Sequence, residues 1–97
     1  MKSFEEIKQI LKENLEFLAE KYKVKTIGVF GSCVRGEQKK KSDVDILVEF
    51  NEPIGFFKFL ELEEYLSHII GRKVDLVSKK ALKPRIGKCI LEETVFL

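Results

Sequence analysis

The sequence predicts a two-layer domain of the α/β or α+β class, with a short sheet that carries helices on one face. Two stretches with helical spacing of apolar residues alternate with three short apolar or β-branched stretches, in the order helix, strand, strand, helix, strand. A further short helix is predicted towards the end of the chain. Together these elements form a sheet of three or four strands with helices packed against one side. The other face of the sheet is then available for polar chemistry.

Composition favours one globular domain over residues 1–97, with 44% apolar and 35% charged residues. The formal net charge is +2, which by itself indicates neither nucleic acid, membrane nor an acidic partner. Cys33 and Cys89 lie far apart in a chain with one histidine, so a disulfide scaffold or a zinc site is not expected. We find no signal peptide and no apolar run near the roughly 20 residues of a membrane span. These features predict a cytoplasmic protein.

The first helix is predicted over residues 3–21, because apolar residues recur there at intervals of three and four. Ser3 and Glu6 resemble a capping box at its start. Residues 24–30 are apolar and largely β-branched, which predicts a buried strand, and a loop with a short helical turn around 32–36 follows. The periodic apolar positions of the helix are Phe4, Ile7, Leu11, Leu15, Leu18 and Tyr22.

The second strand is predicted over residues 43–50, where apolar and acidic residues alternate. One face carries Val44, Ile46, Val48 and Phe50, and the other carries Asp43, Asp45, Leu47 and Glu49. A turn with Asn51, Pro53 and Gly55 follows. The strand is therefore expected to bury one face and to present carboxylates on the other.

The remainder of the chain predicts a second helix, a third strand and a last short helix. The helix covers residues 56–70 and ends at Gly71, which is a natural C-cap. The strand covers residues 73–77, and the last helix covers 85–94. The apolar residues at the end, 94–97, are expected to dock on the core.

Asp43 and Asp45 are candidate ligands of a cation, because residues i and i+2 of a strand project to the same face, with Cα atoms about 6–7 Å apart. Two carboxylates this close raise each other's proton affinity unless a cation is present. Mg²⁺ favours such oxygen ligands and keeps positions open for water and phosphates. Two ions about 3.5–4 Å apart would clamp the attacking and leaving oxygens of phosphoryl or nucleotidyl transfer.

Asp75 is the third candidate carboxylate, since it stands between apolar neighbours in the third strand. A polar group there is costly without a partner. If this strand lies beside the strand of 43–50, three carboxylates converge. The alternative is that Asp75 ends an edge strand and pairs with Arg72 or Lys73.

Gly31 and Ser32 follow the first strand directly and predict a phosphate-binding loop. Glycine lets the backbone approach a phosphate closely, and Ser32 is a good N-cap whose neighbouring N–H groups would face an anion. Arg35 would either reach a phosphate with its fork of donors or brace the loop against the aspartates.

Three other features have a structural and a functional interpretation. The lysines at 39–41 predict a solvated loop, with attraction of nucleotide as the alternative. The basic excess in 72–88 predicts a solvated surface, with contact to phosphates or an acidic partner as the alternative. Phe56, Phe57 and Phe59 are expected to pack in the core, and a partner-binding patch is the alternative.

The stretch GSCVRGEQKKKSDVDILVEF resembles the signature of the minimal nucleotidyltransferases, relatives of the DNA polymerase β superfamily. That signature is Gly-Ser, ten residues, then Asp-x-Asp, and the extended pattern is met at 35–36 and at Ser42. KVDLVSKKALKP resembles the segment with the third carboxylate, and ILEETVFL resembles the usual ending. The resemblance therefore covers nearly the whole chain.

The resemblance implies a short mixed sheet backed by helices, with Mg²⁺ on Asp43, Asp45 and Asp75. It implies that Gly31 and Ser32 contact the triphosphate of ATP. Small stand-alone members are typically antitoxins that transfer AMP from ATP to a tyrosine of a HEPN ribonuclease toxin. Neither a membrane nor a nucleic acid is expected as a partner.

The small size also favours a protein acceptor, because larger transferases carry extra domains that hold a tRNA, an antibiotic or a template. Two alternatives remain open. The chain would be an antitoxin that acts by complex formation without catalysis, or it would transfer nucleotides to a small molecule or RNA.

Overall fold

The computed structural model describes residues 4–30, 44–82 and 90–97. Helices pack on one face of a four-stranded sheet in these ranges, which is the predicted two-layer arrangement of a mixed α/β fold. A 3₁₀ turn at Lys79–Ala81 follows the third strand, and residues 90–93 are helical. The helices are α1 (Phe4–Tyr22) and α2 (Phe56–Ile70), and the strands are β1 (Val24–Phe30), β2 (Val44–Phe50), β3 (Val74–Ser78) and β4 (Val95–Phe96).

The sheet is mixed, with the strand order β3-β2-β1-β4. β1 runs antiparallel to both β2 and β4, while β2 and β3 are parallel. A parallel pair needs a crossover connection, and α2 supplies it between β2 and β3. This crossover places β3 at one edge of the sheet and next to the strand that carries the aspartates.

The core lies between the helices and the sheet. Leu11 and Leu18 of α1 and Leu62 and Leu66 of α2 are fully buried, and they share one apolar cluster with Ile46 of β2. The three- and four-residue spacing of the helices and the two-residue spacing of the strand therefore converge on the same space.

Most of the predicted elements are confirmed. α1 begins and ends within one residue of the prediction, although Ser3, the expected cap, lies outside the described residues. β1 and α2 have the predicted bounds. Gly71 ends α2 in the left-handed conformation, with φ of 77°, and its N–H donates to the carbonyl of Ser67. Residues 32–36, predicted as a helical turn, are outside the described ranges.

The C-terminal residues form more than a docked tail. Val95–Phe96 is the short strand β4, and the N–H of Leu97 donates to the carbonyl of Ile27 at 3.0 Å. Gly28 of β1 explains why the segment fits there, because a Cβ on Gly28 would lie 2.5 Å from Thr94 Cγ2 and 2.9 Å from the carbonyl oxygen of Val95. Of the predicted helix at 85–94, only 90–93 is described as helical.

The expectation that all three phenylalanines at the start of α2 pack in the core is wrong for two of them. Phe56 and Phe57 are 70% and 85% exposed, and their rings contact each other edge to face. Phe59 is partly buried and packs against the ring of Phe50. Phe56 is three residues from Phe59 and shares its side of the helix, so helical spacing alone does not predict which of the two is covered.

Within the described ranges, every helix is too short or too polar to cross a membrane.

Candidate active site

Asp45 and Asp75 stand side by side on neighbouring strands. β2 and β3 are parallel, and Asp45 is the register partner of Asp75. Adjacent strands lie about 4.8 Å apart, and paired residues project to the same face. The two strands are therefore neighbours, as the predicted convergence of their carboxylates requires.

This pair lies on the face of the sheet opposite the helices. Val44 and Ile46, which flank Asp45, are fully buried under the helices. Asp45 itself is partly exposed and Asp75 is exposed. β3 lies at the edge of the sheet, which agrees with one part of the alternative interpretation, in which Asp75 belongs to an edge strand. Because Asp75 is exposed, it needs no buried partner, and the expected burial cost does not arise.

The last residue of β1 lies beside the aspartate pair. Phe30, its last residue, is the register partner of Asp45 across the antiparallel pair. The residues of the predicted phosphate loop follow Phe30 directly in the sequence. The other predicted site residues, Gly31, Ser32, Arg35 and Asp43, lie outside the described residues.

The donor set of the described pair fits a hard divalent cation. Two carboxylates on adjacent strands supply oxygen ligands, and their exposure leaves room for water and phosphate oxygens. In the described ranges no group of three or more His, Cys, Asp or Glu side chains is placed to hold a metal ion. Asp43, which is predicted as a ligand together with Asp45, directly precedes β2 in the sequence and is outside those ranges.

A second polar group on this face lies farther along β2. Glu49 Oε1 accepts a hydrogen bond from Thr26 Oγ1 at 3.3 Å and lies 3.7 Å from Lys79 Nζ. Four residues of a strand separate Glu49 from Asp45, which is about 13 Å. Glu49 is therefore not a third ligand beside the aspartate pair.

Backbone N–H groups of β3 on both sides of Asp75 donate hydrogen bonds to side chains of α2. The N–H of Val74 donates to Ser67 Oγ, and the N–H of Leu76 donates to Glu63 Oε2, each at 2.9 Å. The Ser67 hydroxyl in turn donates to the carbonyl of Glu63 at 2.9 Å. Sequence reasoning missed these residues, because no motif marks them and the bonds depend on how α2 packs beside β3.

The shifted pKa values of the described residues belong to the helix side of the molecule. Burial, followed by a hydrogen bond to Glu61, raises the pKa of Tyr22 to about 12. That hydrogen bond from Tyr22 is also the main reason why the pKa of Glu61 is lowered. Lys21 and Lys58 lie 3.9 and 3.5 Å from the same carboxylate oxygen. This cluster stabilises the seam between the helices and takes no part in the aspartate site.

Comparison with known families identifies the class of protein. Residues 7–97 match the family model described as nucleotidyltransferase domain. The chain belongs to this family, and its enzyme class is nucleotidyltransferase. A solved structure of a protein provisionally named a minimal nucleotidyltransferase has a TM-score of 0.86 and 31% identity, over 99% of this chain and 97% of that one. The resemblance to minimal nucleotidyltransferases, and their fold, is thereby confirmed.

Two relatives of similar length are named as protein adenylyltransferases, one of them provisionally. The protein adenylyltransferase MntA of Thermococcus cleftensis is 52% identical over 100% of this chain and 98% of its own length. A Methanocaldococcus jannaschii protein, provisionally named a protein adenylyltransferase, is 54% identical over the full length of both chains.

More distant solved structures share the fold. One is a toxin–antitoxin with AMP-PNP, at 24% identity, a TM-score of 0.71, and coverage of 96% of this chain and 70% of that one. Another is a tri-AMPylated Shewanella oneidensis HEPN toxin in complex with MNT antitoxin, at 19% identity, a TM-score of 0.68, and coverage of 93% and 70%.

Proposed function

We propose that this chain is a Mg²⁺-dependent protein adenylyltransferase and antitoxin, which transfers AMP from ATP to a tyrosine of a HEPN ribonuclease toxin and neutralises it. The observation that carries the proposal is the placement of Asp45 in register with Asp75, on the face of the sheet opposite α1 and α2. The names of the two relatives that share about half of its residues support the reaction. A reaction that uses ATP and silences a ribonuclease belongs in the cytoplasm.

In the proposed site, Asp43, Asp45 and Asp75 would hold Mg²⁺, which when bound supplies positive charge opposite the triphosphate. The tyrosine oxygen forms a bond to the α-phosphorus while the bond to diphosphate breaks. The proton of the hydroxyl passes to a base. Asp75 would either accept this proton or serve only to hold Mg²⁺.

Gly31, Ser32 and Arg35 are proposed to bind the triphosphate. Gly31 follows Phe30 in the chain, and Phe30 is the register partner of Asp45, so the loop begins at the metal end of the sheet. Backbone N–H groups and the Arg35 guanidinium would neutralise the phosphates. Arg35→Lys keeps the charge but loses the fork, so we expect a higher KM for ATP with a smaller change in kcat.

The proposed partner surface includes Phe56 and Phe57. These rings are exposed at the start of α2 and contact each other. Large exposed aromatic groups are typical anchors of protein interfaces. The toxin–antitoxin complexes among the structural neighbours support a toxin as the protein that covers them.

The decisive experiment mixes the protein with ATP, Mg²⁺ and its proposed partner, a HEPN toxin. Intact mass spectrometry should show the toxin gaining the mass of one or more AMP groups. Asp45→Asn and Asp75→Asn should each reduce the rate by at least about 100-fold, since each removes a metal ligand. The control Glu16→Gln removes an exposed carboxylate of α1 and should react at the wild-type rate.

Neutralisation by complex formation alone is the competing function, and the exposed phenylalanine pair favours contact under either mechanism. The double variant Asp43→Asn with Asp45→Asn separates the two. Cells that carry the toxin should lose protection if catalysis is required, whereas full protection by this variant would support covering alone. Labelling of small molecules or RNA without any protein partner would instead favour a different acceptor.

A further inference from the structure

β3 is an edge strand, and its backbone groups alternate between its neighbour and the open side. The N–H of Val44 in β2 donates to the carbonyl of Lys73 at 2.9 Å. In a parallel ladder a residue bonds to the two neighbours of its register partner, so Lys73 and Asp75 direct their backbone groups towards β2. Val74 and Leu76 consequently direct theirs away from the sheet, where an edge strand usually has no backbone partner.

These two outward N–H groups are bonded by side chains of α2. Ser67 Oγ accepts from Val74 and Glu63 Oε2 accepts from Leu76, each at 2.9 Å. Glu63 and Ser67 are four residues apart, so they lie on one face of the helix, one turn from each other. The Ser67 hydroxyl also donates to the carbonyl of Glu63, which fixes the Ser67 side chain against this turn of the helix. The bond from Leu76 to a carboxylate is charge-assisted, and all three are partly buried.

The bonded positions are the residues immediately before and after Asp75. β3 therefore cannot slide along β2 or lift away from it without breaking a bond on each side of this aspartate. A metal site requires its ligands to be held to within about 0.5 Å. We propose that Glu63 and Ser67 are positioning residues, which act through the backbone of β3 to hold Asp75 beside Asp45. This inference rests on the proposed function for the role of Asp75 as a ligand.

The first test measures the position of β3 without metal or nucleotide. Amide hydrogen exchange by NMR should be faster at Leu76 in Glu63→Ala and at Val74 in Ser67→Ala, by at least about tenfold. Glu63→Gln keeps an acceptor and should retain most of the protection. Glu64→Ala, the same change at the adjacent exposed position, is the matched control and should leave both amides unchanged. Wild-type exchange at Leu76 in Glu63→Ala would overturn the inference.

The second test measures Mn²⁺ affinity by electron paramagnetic resonance, with Mn²⁺ in place of Mg²⁺. Glu63→Ala should weaken binding by about tenfold, as loss of an outer support of a metal ligand does. In an Asp75→Asn background the same change should have no further effect on Mn²⁺ affinity, while it lowers the unfolding temperature equally in both backgrounds. Glu63→Gln should restore most of the affinity.

An equal loss of Mn²⁺ affinity in both backgrounds would mean that Glu63 acts only through the stability of the fold, and the inference would be wrong. If Asp75→Asn itself leaves Mn²⁺ affinity unchanged, the proposed metal role of Asp75 fails. The positioning of β3 is then decided by the amide exchange alone, so the two failures are distinguishable.

Discussion

The two faces of β2 show how one short strand serves two purposes. On one face Val44, Ile46 and Val48 are fully buried against the helices. On the other face Asp45 and Glu49 are only partly buried, and Leu47 between them is buried. A shift of the strand by one residue would exchange the two sets, so the apolar face also fixes where the carboxylates lie. The residues buried against the helices and the carboxylates are thus separated by residue parity rather than by distance along the chain.

The face opposite the helices is itself divided. At β1 the C-terminal segment, whose strand β4 pairs beside β1, approaches Gly28 closely at Thr94 and Val95. Over β2 and β3 this face presents Asp45 and the exposed Asp75. Substitutions on the helix face and beneath the C-terminal segment should therefore change stability, whereas those at the aspartate pair should change chemistry.

The largest effect on stability is expected on the helix face. Leu66→Ala removes a fully buried side chain of α2 and should lower the free energy of unfolding by about 3 kcal/mol. Leu60→Ala makes the same change at a position of the same helix that is 41% exposed, and should cost less than about 1 kcal/mol. Urea unfolding measures both, and equal losses would contradict the division between the two faces of α2.

A smaller loss of unfolding free energy is expected at Gly28, where the C-terminal segment lies close to β1. Gly28→Ala places a Cβ within 3 Å of Thr94 Cγ2 and of the Val95 carbonyl, so the segment must shift. We expect a loss of about 2 kcal/mol in unfolding free energy. Adding Thr94→Ser removes Cγ2 and should recover part of it. A neutral Gly28→Ala would show that the close approach is not needed.

Alkaline pH tests the helix seam. The pKa of Tyr22 is raised from 10 to about 12 in the folded chain, so its contribution to stability is complete below pH 10 and is lost as the pH rises towards 12. Between pH 9 and 11 the loss should be about 1 kcal/mol. Tyr22→Phe should remove this part of the pH dependence, measured by urea unfolding relative to Tyr65→Phe. Identical slopes in the two variants would contradict the assignment.

The smallest effect is expected at the aspartate pair, and it has the opposite sign. Like charges on register partners destabilise a sheet, so Asp75→Asn should raise the stability of the metal-free protein by up to about 1 kcal/mol. Saturating Mg²⁺ should stabilise the wild type more than this variant. Thermal unfolding with and without Mg²⁺ measures the difference, and a loss of stability in the metal-free variant would refute the repulsion.

Much of this arrangement could be predicted because it follows from spacing. Apolar periodicity predicts α2 to its exact bounds, and a glycine at 71 predicts its end. The meeting of Asp45 and Asp75 depends on which strands are neighbours, which the pattern left conditional. A strand, a helix and a parallel strand in succession favour neighbouring strands joined by a helical crossover, which is the arrangement observed here.

The remainder could not be predicted because it depends on contacts between elements. Apolar character alone does not reveal whether Phe56 and Phe57 are covered, and they are not. Nothing in the sequence distinguishes Glu63, which accepts from β3, from its exposed neighbour Glu64. Gly28 lies inside an ordinary strand pattern, and its role appears only once β4 is seen to pair with β1 at this residue.

The bonds from α2 to β3 also affect how separate copies of the chain behave. An exposed strand edge is a template on which another molecule can add a strand, and this is a common start of aggregation. Here two of the donors that such a strand would need are already occupied by Ser67 and Glu63. Copies of the protein cannot join their sheets at this edge without first breaking those bonds, so the same contacts that hold an aspartate in place also oppose self-association.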